Sequence, residues 1–73
     1  MTNNEVRVIK ENYLPDMRIR LLKMDDTQAP PTGCYGTVRG VDDAGQVMVA
    51  WDTGSSLSVI LGEDEIEILE DVR

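Results

Sequence analysis

The chain has no histidine and no phenylalanine, one cysteine, and only three aromatic side chains, Tyr13, Tyr35 and Trp51. Without histidine the commonest metal ligand and general base are gone, which excludes His-based zinc sites and Ser–His or Cys–His catalysis. The lone Cys34 forms no disulfide within the chain, and nothing is present to activate it; a packing or surface thiol is expected. Three rings are too few for an aromatic cage once Trp51 joins the core. No apolar run approaches the roughly 20 residues that cross a bilayer, and MTNNEVRVIK lacks a signal peptide's apolar stretch. These absences predict a cytoplasmic protein with no membrane partner, no cofactor and no metal.

Basic residues are also scarce, with 7 Lys+Arg against 14 Asp+Glu and a formal net charge of −7 over 73 residues. Phosphate contacts are therefore disfavoured, and direct nucleic-acid binding is not expected. The imbalance is uneven. Residues 1–24 hold Arg7, Lys10, Arg18, Arg20 and Lys23 against Glu5, Glu11 and Asp16, a balance of +2, and the remainder sums to −9. A length of 73 residues makes one domain, 1–73, with a thin single core.

Asn3 and Asn4 can cap a helix over residues 3–14 whose apolar positions Val6, Ile9 and Tyr13 recur at helical spacing, and Pro15 stops it. From Met17 the period changes to two, with Met17, Ile19 and Leu21 on one face and Arg18 and Arg20 on the other. MDDTQAPPTGCYG then reads as a long irregular loop, and Thr37–Val41 as a second strand. Asp42-Asp43-Ala44-Gly45 fits a hairpin turn with a glycine-containing bulge, after which Val47, Val49 and Trp51 alternate on a core face. Asp52-Thr53-Gly54-Ser55 suits the next turn, with Asp52 accepting from backbone NH groups and Gly54 left-handed. SSLSVIL and Glu65–Leu69 complete the strands. The expected core is Ile19, Leu21, Val38, Val41, Val47, Val49, Trp51, Leu57, Val59, Ile66 and Ile68.

Five short strands with a long first loop describe a mainly β fold, a small SH3-like barrel over 17–69 preceded by the short helix. From MRIRLLKMDD to EIEIL the chain resembles a family of small uncharacterised domains of phages and Gram-positive mobile elements. The motifs that carry the resemblance are the MDD loop, PPTG before GTV, VDDAGQ and WDTGSSL. GTV…WDTGS is also distantly similar to the mind-bomb type of SH3-like domain. Thr53 stands where that uncharacterised family usually has Asn, and Leu61 where it has Pro. The resemblance implies a fold, a phage context and a bacterial host cell; it supplies no activity.

DTGS is also the sequence that carries the aspartic protease carboxylate. That chemistry needs two carboxyls sharing one proton, so Asp52 would act only in a dimer; the chain shows no glycine-rich flap and no apolar-apolar-Gly strand behind the turn. Turn chemistry is the better reading, as it is for Asp25-Asp26 and Asp42-Asp43, which lack calcium-loop spacing. A non-enzymatic binder remains. Candidate ligand-binding residues are Arg18, Arg20, Asp25, Asp26, Tyr35, Arg39, Asp52 and Ser55, with the arginines placed to meet phosphate. The expected function is a stoichiometric counter-defence protein that holds a small nucleotide-like anion in a homo-oligomer. The alternatives are an acidic protein-binding module or inhibitor, including a nucleic-acid mimic that captures a host protein, and a dimeric aspartic protease. Leu22, Met24, Met48, Ala50, Ile60, Leu61 and Leu69 lie off the alternating core set; the helix or a second copy must cover them.

Overall fold

A computed structural model describes residues 2–69. It contains one helix, α1 (Asn3–Asn12), and four strands, β1 (Arg18–Lys23), β2 (Tyr35–Val41), β3 (Val47–Trp51) and β4 (Glu65–Ile68). Thr2, rather than Asn3 or Asn4, caps α1: Glu5 N donates to Thr2 Oγ1 at 3.2 Å and Thr2 N donates to Glu5 Oε1 at 3.2 Å, a reciprocal capping box. The helix is two residues shorter than expected. Tyr13 N closes its last turn on Ile9 O, and Leu14-Pro15-Asp16-Met17 forms a turn closed by Met17 N on Leu14 O at 3.2 Å. Asp16 takes φ 74° there, the left-handed third position of a type II turn that follows a proline.

The strands form one antiparallel sheet in the order β3-β2-β1-β4. The hairpin between β2 and β3 is as expected: Asp42 Oδ1 accepts from Ala44 N and Gln46 N, and Gly45 has φ 83°. The expected fifth strand is replaced by a single bridge, Val47 to Val59, with mutual backbone bonds of 2.9 and 2.8 Å. Local bonds divert the backbone groups that a ladder needs: Ser55 Oγ accepts from Leu57 N, and the Trp51 indole donates to Leu57 O at 2.9 Å. The described sheet is accordingly open, not a closed five-stranded barrel.

Ile19, Leu21, Val38, Val47, Val49, Trp51 and Val59 make the buried cluster. Ile9, Tyr13, Met17, Met24, Val41, Leu61 and Ile66 pack against it from partly buried positions, and Val6 of α1 is buried as well. Two expected core residues fall outside. Leu57 is half-buried, and Ile68 is 45 % exposed because β4 is an edge strand that no further strand flanks among the described residues. Gly36 pairs with Trp51, and a Cβ at Gly36 would sit 2.6 Å from Val49 Cγ1 and 2.7 Å from Trp51 Cε3. The indole thus lies where a side chain on β2 would be. Among the apolar residues left over by the alternation, Leu22, Met48 and Ile60 remain exposed.

Candidate functional site

The candidate residues separate into two groups. The alternation that buries Ile19 and Leu21 sends Arg18 and Arg20 to the opposite face of β1, beside Thr37 and Tyr35 of β2. There Arg18 grips Asp52 through two bonds of 2.9 and 2.7 Å and donates to Thr37 Oγ1 at 2.9 Å. Arg20 pairs with Glu67 of β4 at 3.2 Å, and its buried Nε has no partner among the described residues. Tyr35 is 45 % exposed on this face, and Arg39 is exposed with no ion pair among the described residues.

The role expected of Asp52 needs correction. Its carboxylate does not close its own turn. Backbone bonds do that, from Gly54 N to Trp51 O and from Trp51 N to Ser55 O, with Gly54 at φ 98°. Asp52 instead ties the turn to β1. The Arg18 hydrogen bonds hold its carboxyl below the usual carboxylate range and raise Arg18 in return.

Asp25, Asp26 and Ser55 belong elsewhere, to an open groove of about 830 Å³ between the first loop and the segment after the Asp52 turn. Asp25, Asp26, Glu63 and Asp64 line it against one cation, Lys23; Ser55, Ser56 and Ser58 supply hydroxyls, and Met24, Leu57 and Ile60 supply apolar surface. Its loops are self-supporting. Asp26 Oδ1 accepts from Gln28 N at 2.8 Å, and Asp64 Oδ2 accepts from Ile60 N at 2.8 Å. Glu63 and Asp64 are the residues that sequence reasoning missed: the run GEDE is plain in the chain, but nothing local to it places it beside the first loop. Tyr35, a candidate alongside Asp25 and Asp26, does not line it.

No group of three or more carboxylate or thiol residues converges as a metal site among the described residues. Cys34 is partly buried against the core, and burial pushes its thiol up, so it stays protonated at neutral pH. No described helix is long and apolar enough to cross a membrane.

Fold and site together define a small, mainly β domain with an acidic surface groove. Residues 2–69 match the model of a family described as a domain of unknown function, DUF4314, and the chain belongs to that family. No curated protein matches the chain. The family match covers all of the described residues and agrees with the resemblance to a small uncharacterised domain.

Proposed function

We propose that this chain is a non-enzymatic binding protein that captures a basic segment of a partner protein in the groove between its first loop and residues 55–64. The observation that carries this reading is the lining itself, with four acidic residues to one lysine around a groove of about 830 Å³ that also has apolar side chains in its wall. Carboxylates dispersed along a groove suit the spaced cations of a Lys/Arg-rich peptide better than one metal ion, which needs its ligands to converge. The fold offers supporting analogy. With the segment around Val59 bridged to β3, the order continues as 55–61, β3, β2, β1, β4, the succession of an SH3-like barrel, whose first loop commonly flanks a peptide groove. In a phage or mobile-element setting this would be a stoichiometric accessory protein acting on a host component.

The nucleotide-like anion is the second reading, favoured by Arg18, Arg20, Tyr35 and Thr37 sharing one face. It is weaker because Asp52 and Glu67 already engage both guanidinium groups, and an anion would have to displace them. The protease alternative is weaker again. A dyad needs one carboxyl that keeps a proton, whereas Arg18 favours the ionised form of Asp52.

Titrating the protein with an octamer of alternating lysine and serine, followed by amide NMR, tests the main reading. Shifts should centre on Met24–Gln28 and Ser55–Asp64, and the doubly reversed Asp25→Lys, Glu63→Lys variant should bind about tenfold or more weakly. No binding at low salt would refute it. Binding of a nucleoside diphosphate that Arg18→Ala abolishes would put the second reading in its place.

A further inference from the structure

We infer that the free edge of β4 is a second docking surface, one that adds an extended, alternately basic and apolar strand of another protein to the sheet. The backbone pattern identifies the open groups. Leu69 N donates to Arg18 O at 3.0 Å, so Arg18 and Leu69 are a hydrogen-bonded pair, and the register makes Arg20 and Glu67 the next one. Ile66 and Ile68 stand opposite Leu21 and Ile19 in the alternate, non-bonded pairs. Their NH and C=O groups therefore point away from β1. Among the described residues no strand lies beyond β4 to take them, and no backbone bond outside the ladder involves either residue. Such an edge is a template for strand addition, with main-chain bonds supplying affinity and alternate side chains supplying choice.

Charge decides the occupant. Glu65 and Glu67 alternate with Ile66 and Ile68 along β4. Antiparallel pairing of two copies through this edge has three registers that match isoleucine with isoleucine. Placing Ile66 opposite Ile66 sets Glu65 against Glu67, placing Ile66 opposite Ile68 sets Glu67 against Glu67, and placing Ile68 opposite Ile68 sets Glu67 against Leu69. Like charges directly opposite are destabilising, and the third register sets a carboxylate against an apolar side chain and keeps a single isoleucine pair, so none of the three suits a second copy. Glu67 is already paired with Arg20, whereas Glu65 has no ion pair among the described residues, so a strand with lysine or arginine opposite Glu65 and a β-branched residue on the isoleucine face meets what this edge leaves open. Ile68, 45 % exposed, is the apolar contact already waiting at the rim.

The inference concerns a different surface from the groove and stands or falls separately. The probe is the peptide Lys-Val-Lys-Val-Lys-Val-Lys added to the full chain, read by amide hydrogen exchange. Exchange at Ile66 and Ile68 should slow about tenfold or more, since the new bonds must open first. Ile68→Pro removes one outward NH without touching the β1 ladder, because proline is tolerated on the open side of an edge strand. It should weaken binding about tenfold while the Arg20–Glu67 pairing persists. Should Ile68→Pro perturb that pairing, Glu65→Lys offers the same test by charge, with a similar loss expected. Peptide that saturates the groove amides while Ile66 and Ile68 exchange at their free rate would overturn the edge proposal and leave the groove standing. Protection of those amides in peptide-free protein, rising with its concentration, would also overturn it by showing that a second copy is the occupant.

Discussion

Gly36 has no room for a methyl group. The nearest atoms to a Cβ there, Val49 Cγ1 at 2.6 Å and Trp51 Cε3 at 2.7 Å, belong to buried side chains that cannot swing away. Gly36→Ala is expected to cost about 1–3 kcal/mol, the usual range for overpacking, seen as a lower urea midpoint at unchanged slope. The reciprocal deletion, Trp51→Ala, should cost about 3–5 kcal/mol, enough to unfold much of so small a domain. A midpoint unchanged by either substitution would place the indole outside the core. Asp52 makes a further prediction at this scale. Its lowered carboxyl contributes stability that is present above its unfolded-state value and is lost as pH falls through the folded one. Acid titration of the fold should therefore show a loss at the acidic end of the carboxylate range, diminished in Asp52→Asn. Asp52→Asn would be nearly silent if the side chain only accepted bonds within its own turn, because the amide keeps an acceptor; the fork to Arg18 predicts that it is not.

At the scale of elements, hydrophobic alternation made β1 and β3 legible in the sequence, because each has one face in the core and period two leaves no other register. The DDAG hairpin was legible for the same kind of reason, since its Asp and Gly are needed locally. What the alternation does not encode is hydrogen-bond competition. SSLSVIL reads as a strand, yet Ser55 and the Trp51 indole, brought together by the fold, take the backbone groups of Leu57. The helix cap was misplaced by one or two residues because Thr2 and Asn3 are both good caps, and only Glu5 reaching back selects Thr2. Thr2→Ala should accordingly cost about 0.5–2 kcal/mol and lower the helical circular dichroism signal, whereas Asn3→Ala should change neither. The reverse outcome would restore Asn3 as the cap.

Across the whole molecule, the uneven charge was visible in the sequence, but its geometry was not. Asp25 and Asp26 follow β1 and Glu63 and Asp64 precede β4, far apart in the chain, and folding sets them on one groove. Two of the arginines that the sequence offered to an anion, Arg18 and Arg20, are turned to the side of β1 opposite the core and held by Asp52 and Glu67, while Arg39 of β2 has no ion pair among the described residues. Of the candidate residues, Asp25, Asp26 and Ser55 line the groove, and Arg18, Arg20, Tyr35, Arg39 and Asp52 lie apart from it, a separation that depends on strand facing and loop placement rather than on sequence neighbourhood. Among the described residues the large exposed apolar side chains, Val8, Leu14, Leu22, Tyr35, Met48, Ile60 and Ile68, come from α1, the turn after it, each of the four strands and the segment before β4.

Isothermal titration of the alternating lysine–serine octamer at low and moderate salt tests the groove most directly. Saturable one-to-one binding that weakens as salt rises, and that Asp25→Lys with Glu63→Lys weakens about tenfold or more without altering the unfolding midpoint, is the predicted result. Equal affinity in the wild-type protein and the charge-reversed variant would contradict it.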